Sequence, residues 1–205
     1  ELDLSSAMQD RLYLNDSRIQ DMANAIRQIA SQTEPVGRVL DGWLTKDNLN
    51  IQKVSIPIGV IAIIYESRPN VTSDTAALCF KSGNVCVLKG GKEAENSNRA
   101  IAKIIQDVLE KNNLPKEIVS LLPDSSREGV AKLIVEDKYV DLIVPRGGEA
   151  LIKFITQNSS IPVIKHDKGV CHTFIDKDAN ATKSINIVIN AKCQRPSACN
   201  SLETL

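Results

Sequence analysis

Val60-Ile61-Ala62-Ile63-Ile64 is the stretch that most limits how this chain can fold. Five apolar residues in succession suit a strand covered on both faces rather than one wetted on one side. From there the pattern repeats strand then helix. A helix is predicted over 72–82, ended by Gly83, then a strand over 85–88 and a long helix over 93–111. A strand at 118–122, a helix at 126–136 and a strand at 139–144 follow, then a helix at 149–157 and a fifth strand at 161–164. Strands that alternate with helices predict right-handed crossovers and a parallel sheet. The expected fold class is α/β.

The segment before this repeat reads differently. Residues 1–33 read as helical, with Ser17 and Gln20 in the form of a capping box and Ile19, Met22, Ile26 and Ile29 on one face. Pro35 and Gly37 punctuate the end. Beyond Asp47, apolar residues partly alternate with polar ones, as in half-buried strands. Either a separate hairpin or an edge strand of the main sheet fits that pattern.

Charge and cysteines exclude several functions. Lys plus Arg number 25 and Asp plus Glu number 25, so the basic excess of a nucleic-acid surface is missing. Aromatic residues make up 3%, too few for base-stacking platforms. No apolar run approaches the roughly 20 residues needed to cross a bilayer. The five cysteines, Cys79, Cys86, Cys171, Cys193 and Cys199, lack tight Cys-x-x-Cys pairs. Neither a disulfide scaffold nor a structural metal site is expected, and a reducing, cytoplasmic setting fits.

In a parallel sheet, ligands bind in loops at the carboxyl ends of the strands. Three such loops carry candidate residues. Glu66-Ser67-Arg68-Pro69-Asn70 places an amide just before a helix, where Asn70 serves either as an N-cap or as a donor to a developing oxyanion. In Lys89-Gly90-Gly91-Lys92 the glycines would let backbone N–H groups approach a phosphate, or would serve a simple turn. Pro145-Arg146-Gly147-Gly148 repeats the arrangement, and Arg146 has a fork of donors suited to phosphate. Further on, Cys171 and His172 are neighbours in the segment that holds both histidines, His166 and His172. On a strand they would point to opposite faces, which disfavours joint metal ligation.

Cys199 has the setting of a reactive thiol, in a polar turn between Pro196 and an apolar run with Arg195 four residues earlier. The surrounding segment, Gln194-Arg195-Pro196-Ser197-Ala198-Cys199-Asn200-Ser201-Leu202-Glu203-Thr204-Leu205, resembles the nucleophile segment of the γ-glutamyl phosphate reductases. That family lies within the aldehyde dehydrogenase superfamily. Tyr65-Glu66-Ser67-Arg68-Pro69-Asn70-Val71-Thr72, Leu88-Lys89-Gly90-Gly91-Lys92-Glu93 and Val144-Pro145-Arg146-Gly147-Gly148 are similar to further family segments, in family order.

The resemblance implies a Rossmann-like cofactor domain over 1–164, with 43–57 as an oligomerisation hairpin, and the start of a catalytic domain over 165–205. It also implies that about half of a longer protein is represented. Cys199 would be the nucleophile and Asn70 the oxyanion donor. Lys89, Gly90 and Gly91 would bind NADPH, with Lys89 at the adenosine ribose or its 2′-phosphate; NADH is not excluded. Arg146, Gly147 and Gly148 would lie near the cofactor, with Arg146 on its pyrophosphate or on the substrate's phosphate.

The implied reaction is reduction of L-glutamyl 5-phosphate to the semialdehyde through a thioester, in a homo-oligomer functionally associated with glutamate 5-kinase. No glutamate occurs between Glu149 and Glu203, so the water-activating base of oxidising relatives has no counterpart there. The alternatives are another acylating or oxidising aldehyde dehydrogenase, the reductase half of a bifunctional kinase–reductase, and a catalytically silent nucleotide-binding fragment.

Overall fold

A computed structural model describes residues 6–165, 169–194, 196 and 200–205, with the backbone alone at Ser6 and Ala7. The chain divides into two compact units, Glu1–Lys165 and His166–Leu205.

The first unit is built on a parallel four-stranded sheet. Its strands are β3 (Val60–Tyr65), β4 (Val85–Lys89), β5 (Val119–Leu121) and β6 (Leu142–Arg146), in the order β5-β4-β3-β6. The chain therefore runs outward from β3 to β4 and β5, then returns to β3's other side for β6. With crossovers of one hand, that reversal must move the connecting helices to the opposite face.

The core shows that it does. Ile61, Ile63 and Tyr65 pack with residues of α3 (Pro69–Lys81) and α4 (Glu95–Lys111). Ala62 and Ile64 pack with residues of α5 (Arg127–Leu133) and α6 (Glu149–Asn158). Successive residues of a strand face opposite ways, so the unbroken apolar run is what two covered faces require. Full burial of Ile64 contributes about 1.5–3 kcal/mol.

The predicted fifth strand at 161–164 is reduced to one parallel bridge, Ile143 to Val163. Ile143 donates to the Pro162 carbonyl at 2.9 Å and Ile164 donates to Ile143's carbonyl at 2.9 Å, but Pro162 has no N–H with which to extend the ladder.

The helix expected over 1–33 is two helices, α1 (Ser6–Leu12) and α2 (Asp16–Ser31). Asn15, not Ser17, caps α2: its side chain accepts from the Arg18 N–H at 2.9 Å. Gln20 does not reach back to complete a box and instead donates to Asn24 Oδ1. The strand expected over 139–144 begins and ends later, so Pro145 and Arg146 belong to β6 and not to a loop.

β1 (Val39–Leu44) and β2 (Asn50–Val54) pair antiparallel in a sheet of their own, which rules out an edge strand of the main sheet. Every residue of both strands is exposed, Trp43 and Leu44 among them.

In the second unit, β7 (Cys171–His172) pairs in parallel with β8 (Leu202–Thr204). Cys171 is half-buried and His172 exposed, the opposed orientation expected of neighbours on a strand. α7 (Ala181–Cys193) is capped by Asn180, which accepts from the Lys183 N–H at 2.9 Å. Lys192 Nζ ties the end of α7 to the Leu202 carbonyl at 2.8 Å. No helix among the described residues is long and apolar enough to cross a membrane.

Candidate functional site

The strand order reverses between β3 and β6, and a crevice at the carboxyl ends flanking such a switch is the expected ligand site. Tyr65 pairs level with Arg146, and Ile64 pairs level with Lys89. Lys89 and Arg146 thus end the two strands flanking β3, at the same edge of the sheet. Lys89 closes β4 rather than opening a loop.

The β3–α3 connection lies between the two glycine pairs. A Cβ on Gly91 would fall 2.1 Å from Ser67 Oγ and 2.9 Å from the Ser67 backbone nitrogen. On the other side, a Cβ on Gly147 would meet Glu66 Cγ at 3.4 Å. Gly90 is held as tightly, since its Cβ would fall 2.1 Å from Asn98 Nδ2. The glycines at 90 and 91 are therefore required by the chain's own packing.

The turn after Gly91 already holds an anion of its own. Glu93 accepts the Ser67 hydroxyl proton, and that bond, its own backbone N–H and the nearby Lys89 hold its carboxyl below the usual carboxylate range. Burial pushes the Lys89 amine down, against the opposing pull of Glu93.

Asn70 is not an N-cap. α3 begins at Pro69 with Arg68 in the capping position, so Asn70 lies inside the first turn. Its Nδ2 donates to Asp74 Oδ2 at 3.2 Å. Burial raises the Asp74 carboxyl, partly offset by hydrogen bonds from Asn70 and Ser73.

A cavity of about 130 Å³ opens at the ends of β4 and β5. Leu88, Leu121, Leu122 and Pro123 give it apolar walls, and Lys89, Gly90 and Gly91 line its rim. Asn98 and Arg99 reach it from α4, with Arg99 tied to Glu95 at 2.7 Å. Arg146, Gly147 and Gly148 are not among its lining residues. Ser67, Glu93 and Asn98 were not singled out from the sequence, where each reads as an ordinary polar residue beside a turn or on a helix.

Cys199 and His166 lie outside the described residues. Between the end of α7 and the start of β8, Ser201 Oγ donates to the Pro196 carbonyl at 2.9 Å. Cys79, Cys86 and Cys193 are free thiols, the first two buried. Among the described residues no three His, Cys, Asp or Glu side chains converge as a metal cluster would.

The sequence model of the aldehyde dehydrogenase family matches residues 10–200. The chain belongs to the aldehyde dehydrogenase family. Within that family it is 79% identical over 202 residues to a γ-glutamyl phosphate reductase of Aliarcobacter butzleri, covering 98% of this chain and 49% of the relative. It is 67% identical over 205 residues to that of a Nitratiruptor species, covering all of this chain and 50% of the relative.

The crystal structure of γ-glutamyl phosphate reductase from Thermotoga maritima superposes with a TM-score of 0.89 at 42% identity, covering 98% of this chain and 48% of that one. The chain spans about half the length of the curated relatives it matches. The fold expected from the strand–helix alternation is thus the aldehyde dehydrogenase fold.

Proposed function

We propose that this chain carries the cofactor-binding unit and the nucleophile segment of an NADPH-dependent reductase that converts L-glutamyl 5-phosphate to L-glutamate 5-semialdehyde and phosphate. The observation that carries this reading is the 79% identity to a γ-glutamyl phosphate reductase along nearly the whole chain. The cavity supports the cofactor half: a half-buried cationic amine, an amide and apolar walls are the donor set that one end of a dinucleotide needs. Lys89, Gly90 and Gly91 would hold the adenosine side, and Arg146, Gly147 and Gly148 the phosphates nearer the reacting end.

In the proposed reaction the Cys199 thiolate attacks the acyl carbonyl, the carbon–oxygen bond to phosphate breaks, and phosphate leaves with that electron pair. Lys89 and the two glycine pairs would hold NADPH, which would supply the hydride that reduces the resulting thioester. Collapse of the hemithioacetal returns the thiolate and releases the aldehyde. Asn70 and the Cys199 backbone N–H would steady the oxyanion. Asp74 occupies one N–H of the Asn70 amide, which leaves the other to donate.

The domain division assigns 1–164 to the cofactor and 165–205 to the start of the catalytic part. The exposed β1–β2 hairpin is assigned to self-association, because its apolar residues have no cover of their own. The reaction belongs to proline biosynthesis in the cytoplasm, next to glutamate 5-kinase.

The second reading is a nucleotide-binding module without turnover. The test is the reverse reaction, NADP⁺ reduction by glutamate semialdehyde, followed at the NADPH absorbance. The proposal expects reduction that requires inorganic phosphate and disappears in Cys199→Ala with NADPH binding intact. Reduction that requires coenzyme A, or neither, overturns it. Nucleotide binding without any turnover selects the second reading.

A further inference from the structure

The Tyr65, Thr72 and Asn98 side chains form a hydrogen-bonded chain in the core. Tyr65 Oη lies 2.7 Å from Thr72 Oγ1, and Thr72 Oγ1 lies 2.9 Å from Asn98 Oδ1. All three are nearly inaccessible, Asn98 at 3% exposure. None of the three takes part in the proposed bond-making steps, and Asn98 enters the cofactor reading only as an amide on the cavity wall.

Counting protons gives this chain a direction. Each hydroxyl carries one proton, and neither has another partner among the described residues. If the Asn98 amide donated to Thr72, then Thr72 would donate to Tyr65, and the Tyr65 proton would be left buried without an acceptor. Thr72 Oγ1 instead donates to Asn98 Oδ1, and its single proton is then spent there. Tyr65 must therefore donate to Thr72, Thr72 to Asn98 Oδ1, and the chain ends at Asn98 Nδ2. Burial raises the Tyr65 hydroxyl to about 12, so the proton that sets this direction stays in place across the working pH range.

Asn98 Nδ2 has no hydrogen-bond partner among the described residues, and Asn98 lines the cavity beside Gly90. No fully buried side-chain nitrogen among the described residues lacks a partner, so Nδ2 reaches a surface, and the cavity is the surface that Asn98 lines. An unpaired donor in a nearly buried residue is costly until something accepts from it. The cavity is well below the roughly 300 Å³ of a site for a whole drug-sized molecule, so it suits one end of a larger ligand.

We infer that Asn98, held in one orientation by the Tyr65–Thr72 pair, is a ligand-binding donor that reads an uncharged acceptor on the adenosine half of a nucleotide, a ribose oxygen or a ring nitrogen. This rests on the cofactor reading above and adds to it the residue that discriminates. Lys89 supplies charge at the rim. Asn98 supplies a directed neutral donor inside, which an anion-binding site would not need. Thr72 is a positioning residue: it touches no ligand and acts by denying the amide its other orientation.

The test measures binding of NADPH, ADP and nicotinamide mononucleotide to the full protein by calorimetry, for Asn98→Ala, Thr72→Val and Thr72→Ser. Asn98→Ala is expected to weaken ADP and NADPH about 3–10-fold, the range for one neutral hydrogen bond, and to leave nicotinamide mononucleotide unchanged. Thr72→Val should weaken the same two ligands, and Thr72→Ser, which restores the relay, should return them to within about twofold.

Deoxy-ADP and deaza-ADP analogues separate the two acceptors. The analogue that lacks the accepted atom should bind the wild type more weakly and be indifferent to Asn98→Ala. Wild-type affinity for ADP in Asn98→Ala, or equal weakening of all three ligands, overturns the inference while the cofactor reading stands. A wild-type protein that binds neither NADPH nor ADP overturns the cofactor reading, and this assignment with it. If Asn98→Ala does not fold, the Thr72 pair decides by the same selectivity.

Discussion

Asn70 and Asp74 are joined across one turn of α3, with Asn70 Nδ2 donating to Asp74 Oδ2 at 3.2 Å. The carboxylate holds the amide in place while consuming one of its two N–H bonds. Asp74→Ala should lower kcat several-fold and leave nucleotide affinity unchanged, because it frees the amide without touching the cavity. Stopped-flow turnover beside a binding titration checks the split. Burial raises the Asp74 carboxyl, so folding favours its protonated form. Stability from this group is therefore lost as pH rises just above the ordinary carboxylate range, and Asp74→Asn should remove that slope.

Glu93 behaves in the opposite sense. Its carboxyl is held low by the Ser67 hydroxyl, so its contribution is present near neutrality and lost as pH falls through the depressed value. Glu93→Gln should flatten the acid limb of stability, from the ordinary carboxylate range downward, in denaturant titrations. An unchanged limb would show that the Ser67–Glu93 bond contributes nothing to folding.

Lys89 is expected to cost stability in exchange for binding. Burial disfavours its charged form, so stability rises with pH towards the ordinary lysine value. Lys89→Met should leave the protein as stable or more stable at neutral pH, while NADPH binds about tenfold more weakly. Loss of both properties would mark Lys89 as a structural residue.

Gly90→Ala and Gly91→Ala should each destabilise by about 1–3 kcal/mol through overpacking. The larger loss belongs at Gly91, where the Cβ meets the Ser67 backbone at 2.9 Å as well as its side chain. At Gly90 the nearest atom is the Asn98 amide, which has some freedom to yield. Thermal melts of the pair rank them.

Tyr65 adds an alkaline signature. Its hydroxyl is raised from the ordinary value of 10 to about 12, so its contribution is complete below pH 10 and is lost as pH rises towards 12. Tyr65→Phe should weaken that alkaline loss by at most about 2–3 kcal/mol. Chemical denaturation from pH 9 upward measures it.

The sheet was legible because Val60–Ile64 has no polar face to turn to water, and the following alternation leaves few ways to cover it. Boundaries were less so. Arg146 read as a loop residue beside two glycines, yet its pairing with Tyr65 makes it the last residue of a strand. Nothing local distinguishes Asn15 from Ser17 as a cap, because the choice depends on where the chain breaks after α1. The single bridge at Val163 reflects one missing donor at Pro162, which a count of apolar residues overlooks. Lys89 and the glycines stood out by type and position. Asn98 did not, because its meaning comes from Thr72, twenty-six residues away in sequence, and from the tyrosine behind it.

The strand order also governs synthesis. Val60 donates to the Asp141 carboxylate 81 residues later, and β3 gains β6 as a neighbour only when that distant stretch has emerged. At roughly 5–20 residues per second, one edge of the most apolar strand waits several seconds on the ribosome. The nascent protein therefore passes through a sticky interval that ends with the arrival of β6, and holdase chaperones have their opening there.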